Sequence, residues 1–134
     1  MTPDKSRQAA QLLWQAWQRG EQLDGLPTQL RPVSRSDGYE IQAAVQQVSG
    51  QKLYGWKIAA TSAAGQKHIG VDGPLAGRLL SERVFTSGAA VPLAGNAMRV
   101  MEAEFAFKMG ADLPARGAES VSYTHLTLPT NREV

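Results

Sequence analysis

Ten residues constrain this chain more than any others: Val100-Met101-Glu102-Ala103-Glu104-Phe105-Ala106-Phe107-Lys108-Met109. Taken in steps of two, they split into a mixed face of Val100, Glu102, Glu104, Ala106 and Lys108 and an apolar face of Met101, Ala103, Phe105, Phe107 and Met109. That alternation predicts a half-buried strand. A strand repeats its facing every two residues, so Glu102 and Glu104 would stand side by side, about 6.5–7 Å apart at the backbone. Two carboxylates at that spacing repel by about 2.5 kcal/mol at an effective dielectric near 20. Water can screen them on an exposed edge, or a cation can join them. The spacing alone is satisfied by either.

Composition removes other classes of function. The net charge is only +2 over 134 residues, and the basic residues are scattered. A pI near 9.2 therefore does not predict nucleic-acid binding, which needs a Lys/Arg stripe with stacking aromatics. The chain has no cysteine, which excludes disulfides, a thiolate nucleophile and a Cys-type zinc site. Met-Thr-Pro-Asp-Lys-Ser at the N-terminus lacks the apolar segment of a signal peptide, and no run is long enough for a membrane span. A cytoplasmic protein without membrane partners is expected.

Along the chain, residues 3–20 predict an amphipathic helix with Ala9, Leu12, Leu13, Ala16 and Trp17 as its stripe and Gly20 as its stop. Trp14 and Trp17 read as packing residues rather than a ligand platform. Leu26-Pro27 and Arg31-Pro32 mark an extended linker. A second helix starts near Ser34 or Ser36, capped by the serines and Asp37, and runs to Ser49-Gly50 with Ile41, Ala44, Val45 and Val48 facing inward. The period then changes to two. Residues 53–60 predict a strand with Tyr54, Trp56, Ile58 and Ala60 on one face and Leu53, Gly55, Lys57 and Ala59 on the other. Lys57 is its one charge, and a lysine there must reach water or a partner. Thr61-Ser62 caps a short helix over 63–68, Gly70-Val71-Asp72-Gly73-Pro74 is a turn, and strand-like pieces follow at 75–80 and 83–86. His68 has no partner at metal spacing and reads as a surface or helix-end residue. No phosphate loop, Gly-x-Ser-x-Gly elbow or His-Glu-x-x-His pair is present.

Three segments in order carry a resemblance. They are Gly55-Trp56-Lys57-Ile58-Ala59-Ala60-Thr61-Ser62, Gly70-Val71-Asp72-Gly73-Pro74, and Glu102-Ala103-Glu104-Phe105-Ala106-Phe107 followed by Asp112-Leu113-Pro114, with Tyr39-Glu40-Ile41-Gln42 in the helical lead-in. Together they resemble the 2-keto-4-pentenoate hydratase branch of the fumarylacetoacetate hydrolase superfamily, over roughly residues 5–119. The fold this implies is α+β, with N-terminal helices over 1–50 followed by the first part of a mixed β-roll over 51–120. By the same resemblance Glu102 and Glu104 are ligands of Mg²⁺ or Mn²⁺, hard cations suited to carboxylate oxygens, with a third acid completing the set. Lys57 matches the active-site lysine, and Thr61, Ser62 and Asp72 fall where substrate is bound. The implied substrate is a small 2-oxo or 2-hydroxydienoate acid, and the implied reaction is addition of water to its distant double bond in aromatic-compound breakdown. A homo-oligomer is implied for a full-length parent.

Two departures stand against that pattern. Many hydratases of the family carry an acid soon after the Gly-Val-Asp-x-Pro turn, where this chain has Leu75. A decarboxylase or C–C bond hydrolase on the same scaffold therefore stays open. The third metal-binding acid of the family falls well after the Asp-Leu-Pro turn. In its place stands Val121-Ser122-Tyr123-Thr124-His125-Leu126-Thr127-Leu128-Pro129-Thr130-Asn131-Arg132-Glu133-Val134, which looks like translated sequencing-adapter sequence. Residues 121–134 are thus expected to be a non-native tail on a truncated β-roll, in which neither Glu133 nor His125 serves as a ligand. A catalytically inactive fragment is the alternative of a different class.

Overall fold

The computed structural model describes residues 1–111. The chain divides after Val100 into two units. The first unit contains helix α1 (Pro3–Arg19), a 3-10 turn (Thr28–Leu30), helix α2 (Arg35–Ser49), strand β1 (Leu53–Ala59), helix α3 (Ala63–Ile69), strand β2 (Leu75–Leu80) and a second 3-10 turn (Ser81–Arg83). This is an α+β arrangement.

Both long helices begin and end on the chemistry that their sequences offer. Thr2 caps α1 by accepting from the Lys5 N–H, Pro3 fills the first turn, and Gly20 closes the helix in the left-handed region at φ +66°. Gly20 is needed twice over, since a Cβ there would lie 2.9 Å from the Cα of Gly95. Helix α2 opens on a capping box. Ser34 Oγ accepts from the Asp37 N–H at 3.1 Å, and Asp37 Oδ2 accepts from the Ser34 and Val33 N–H groups at 3.1 and 3.0 Å. Asp37 is itself buried, and its other oxygen accepts from the Met1 ammonium at 2.5 Å.

The helices pack on each other through small residues. Ala9, Ala10, Leu30, Ile41 and Ala44 form the buried cluster, with Leu26, Val45 and Val48 against it. This matches the expected inner stripe of α2 and corrects that of α1. Ala9 and Ala16 are buried, but Leu12, Leu13 and Trp17 are 36–46% exposed. Alanines let two helix backbones approach closely, so the contact turns about Ser6, Ala9 and Ala10 and the larger side chains are left at its rim. Trp14 and Trp17 meet edge to face at 5.6 Å between ring centres, and the Arg83 guanidinium lies 5.0 Å from the Trp17 ring.

The sheet has two antiparallel strands, with Lys57 opposite Gly77, Ala59 opposite Leu75 and a bulge near Tyr54. Two of the expected strands are absent. Residues 83–86 hold only the end of a 3-10 turn, and residues 101–109, in the second unit, have no regular secondary structure. Alternation records which way side chains would face, whereas a strand also needs a neighbour for its N–H and C=O groups. No described strand pairs with 101–109, and Met101 and Phe105 are 95% and 98% exposed. The Asp112-Leu113-Pro114 turn and residues 121–134 lie outside the described residues.

Two outcomes test this core. Ile41 is 4% exposed in the helix contact, so Ile41→Ala should cost about 2–4 kcal/mol in urea unfolding. The Met1 ammonium, the Val33 amide and the Ser34 side chain lower the Asp37 pKa from 3.8 to about 2. A depressed carboxylate stabilises the fold above its unfolded value and loses that effect as pH falls. Unfolding midpoints should therefore drop as pH falls from about 4 to about 2, and Asp37→Asn should flatten that limb. An acid limb unchanged in the variant would remove Asp37 as its cause.

Candidate functional site

Lys57, Thr61, Ser62 and Asp72 come from one β-α-β stretch, and the antiparallel register brings them to one end of the sheet. Pairing Ala59 with Leu75 sets the exit of β1 beside the entry of β2. Thr61 and Ser62 follow directly from that exit, and Asp72 sits in the turn that leads to the entry. Lys57 lies two residues inside, on the half-buried face with Leu53, Gly55 and Ala59, while Tyr54, Trp56 and Ile58 face solvent. The charged face is thus the covered one, the reverse of what hydrophobicity alone suggests. Its cross-strand neighbour is Gly77, with Leu75 and Leu79 diagonal to it on the same face.

The joint between β1 and α3 is held in an unusual backbone. Ala60 adopts φ +55° without being glycine, and its carbonyl accepts from Gln66 Nε2 at 2.9 Å. Ser62 caps α3, its hydroxyl accepting from the Gly65 N–H at 3.1 Å. A Cβ on Gly65 would lie 3.2 Å from that hydroxyl, which is one reason for a glycine there. The Ser62 hydroxyl therefore has a structural task beside any contact with substrate. The Asp72 carboxylate is paired with Arg35 at the start of α2, and this pair ties the Gly70–Pro74 turn to the helical layer. His68 falls in the last turn of α3, as expected of a helix-end residue.

Glu102 and Glu104 lie in the second unit, exposed and outside regular structure. Their oxygens are of the hard type that suits Mg²⁺ or Mn²⁺, so the donors fit the implied cation in kind. They do not fit it in number. Among the described residues no group of three or more His, Cys, Asp or Glu side chains converges. Asp112 and Glu133 lie outside the described residues.

The sequence places Tyr39 and Gln42 in the helical lead-in, with Tyr39 as an anchor of the first turn, but assigns neither a contact with the sheet. Tyr39 and Gln42, three residues apart on one face of α2, reach the outer edge of β2. The Ala76 N–H donates to the Tyr39 hydroxyl at 3.2 Å, Gln42 Nε2 donates to the Ala76 carbonyl at 3.1 Å, and the Arg78 N–H donates to Gln42 Oε1 at 3.1 Å. Gln46 then accepts from the Arg78 guanidinium at 2.8 Å. The spacing of Tyr39, Gln42 and Gln46 beside the apolar stripe was the available signal. A separate cleft at the end of α1, lined by Leu13, Ala16, Trp17, Gly20, Glu21, Leu23 and Gly95, holds none of the candidate residues.

Known proteins carry this arrangement further. The chain is 35% identical over 116 residues to a 2-keto-4-pentenoate hydratase of Paraburkholderia xenovorans, covering 84% of this chain and 43% of that protein. It is 34% identical over 110 residues to the TodF product hydratase of a Pseudomonas putida strain, covering 80% and 41%. The chain is similar to the 2-keto-4-pentenoate hydratases. A 2-hydroxypent-2,4-dienoate hydratase of Pseudomonas putida is 30% identical over 124 residues, covering 87% of this chain and 56% of its own length. The chain thus spans about half the length of the relatives it matches, or less. No family model and no solved structure matches it. Among the described residues no helix is long and apolar enough to cross a membrane.

The Ala60 joint yields a direct test. A left-handed backbone costs an ordinary residue about 1–2 kcal/mol and glycine far less. Ala60→Gly should raise stability by up to about 1 kcal/mol in urea unfolding. A loss of stability would show that the joint is not strained.

Proposed function

We propose that this chain carries part of the active site of a metal-dependent hydratase that adds water to a 2-hydroxy-2,4-dienoate of the 2-keto-4-pentenoate type, in aromatic-compound breakdown. The observation that carries the reading is the similarity to proteins named for this hydration over four-fifths of the chain. The grouping of Lys57 with Thr61, Ser62 and Asp72 at one end of the sheet supports it. In this reading Lys57 stands beside the 2-oxo acid, where an ammonium offsets negative charge that develops on the substrate oxygens. A lowered pKa would also let it move a proton. Its half-buried strand face suits that task, since a rigid, partly dry setting strengthens the attraction. Thr61 and the turn at Asp72 offer hydroxyl, carboxylate and backbone groups to orient the acid. Glu102 and Glu104 would hold Mg²⁺ or Mn²⁺, which when bound supplies Lewis-acid polarisation and a template for the oxo acid.

Leu75 favours a second reading. It opens β2 opposite Ala59 and brings no acid to the end of the sheet where Thr61 lies. A 2-oxo acid decarboxylase on the same residues adds no water and needs no water-activating acid at that place, whereas a C–C bond hydrolase would have to activate its water from another residue. For the chain of 134 residues itself, two carboxylates without a third among the described residues point to weak cation binding and to an inactive fragment.

The test is a titration of this chain with Mn²⁺ followed by electron paramagnetic resonance, beside an assay of 2-hydroxypenta-2,4-dienoate hydration. Binding should be weak, in the millimolar range typical of loosely built oxygen sites. It should be lost in Glu102→Gln/Glu104→Gln, with no measurable turnover. Binding that survives the double variant would remove Glu102 and Glu104 as ligands. Robust turnover would overturn the inactive-fragment reading. Coding sequence beyond residue 119 that supplies no further acid on a strand would count against the metal enzyme as a whole.

A further inference from the structure

The dipeptide Asp-Gly occurs three times, at Asp24-Gly25, Asp37-Gly38 and Asp72-Gly73. Where glycine follows aspartate, its nitrogen can reach the aspartate Cγ, because no Cβ on the next residue blocks the approach. Ring closure also needs a carboxyl that can leave its contacts and a following amide not committed to a hydrogen bond. The structure treats the three pairs differently on both counts.

Asp37-Gly38 is closed. Asp37 is buried, with its oxygens taken by the Met1 ammonium and the Val33 and Ser34 amides. The Gly38 N–H donates to the Ser34 carbonyl at 3.2 Å, as in a helix. A carboxyl pKa lowered to about 2 also keeps scarce the protonated form, the one that can lose its oxygen as water. Asp72-Gly73 is tethered. Its carboxylate pairs with Arg35, and Pro74 narrows the backbone of Gly73. Asp24-Gly25 has neither restraint. Asp24 is exposed at a bend, and among the described residues neither its carboxylate nor the Gly25 N–H has a hydrogen-bond partner. The ties stop on either side of the pair. The Glu21 N–H reaches back to the Ala16 carbonyl at 2.9 Å, and Arg31 Nε donates to the Leu26 carbonyl at 2.8 Å.

We infer that Asp24-Gly25 is a site of spontaneous backbone modification, at which Asp24 passes through a succinimide to a β-linked isoaspartate. The Gly25 nitrogen attacks Cγ of the protonated Asp24 carboxyl. The N–Cγ bond forms, the Cγ–OH bond breaks, and the hydroxyl leaves as water with the amide proton. Water then opens the ring at either carbonyl. Attack at Cγ breaks the new bond and restores aspartate. Attack at the Asp24 main-chain carbon breaks the original peptide bond and leaves the chain running through Cβ and Cγ, with a free α-carboxylate. One water leaves and one returns, so no other reactant is needed. The product lengthens the main chain by one carbon just ahead of Leu26, which packs against the helix core.

Ageing the 134-residue chain in warm, mildly acidic buffer tests this. Trypsin places the three pairs on separate peptides, residues 20–35, 36–52 and 68–78. Electron-transfer fragmentation then identifies the β-linked form, because it cleaves the additional Cα–Cβ bond of the main chain. In the folded chain isoaspartate should accumulate several-fold faster at Asp24 than at Asp72 and stay undetected at Asp37. In urea, where the Arg35 pair and the α2 cap are lost, the three rates should converge. Gly25→Ala should suppress the reaction at Asp24. Its Cβ would lie 3.6 Å from Arg31 Nη2, an ordinary contact, so the fold is kept. Arg35→Gln should raise the rate at Asp72 alone. Isoaspartate at Asp72 that matches or exceeds that at Asp24 would overturn the inference. So would a rate at Asp24 that Gly25→Ala leaves unchanged, or the same spread of rates in the folded chain and in urea.

Discussion

The fold of the first unit depends on the hydrogen bonds that α2 sends to β2. A two-stranded ribbon is marginal by itself in water, and each unpaired backbone group on a covered edge costs as much as a lost hydrogen bond. Gln42 resolves this with one carboxamide, donating to Ala76 and accepting from Arg78 as the peptide of a third strand would. Tyr39 takes the remaining Ala76 N–H. The same helix turns Ile41 and Ala44 toward α1. Helix α2 therefore belongs to both layers, and its capping box at Ser34 and Asp37 sets where the edge contacts fall along its axis.

That arrangement explains why the candidate residues collect where they do. Once β2 is held on α2, antiparallel pairing leaves β1 in one register, and its exit must lie beside the Gly70–Pro74 turn. Arg35 completes the link by pairing with Asp72. The candidate residues at this end thus also hold the fold together. Ser62 caps a helix, Asp72 anchors a turn, and Ala60 holds a left-handed backbone between them. Strain of that kind persists only where surrounding contacts over-determine it, and here the Gln66 side chain bonded to the Ala60 carbonyl supplies one of them.

The sequence alone determined the local elements. Both long helices, the ends of α3 and β2 to within a residue, and the caps at Ser34, Ser62, Gly20, Gly50 and Gly70 follow from interactions within a few positions along the chain. The ordered set around Lys57, the Gly-Val-Asp-x-Pro turn and Glu102/Glu104 pointed to the hydratases to which the chain is similar, because spacing along a chain survives without knowledge of its packing. Tertiary structure decided three other matters. It chose which apolar residues of α1 are buried, since helix approach favours Ala9 and Ala10 over Leu12 and Trp17. It put the Lys57 face inward and the Tyr54-Trp56-Ile58 face outward, a choice between two faces that alternation leaves equal. And it withheld a strand from residues 101–109, because alternation specifies facing while a strand exists only when a neighbour takes up its backbone hydrogen bonds.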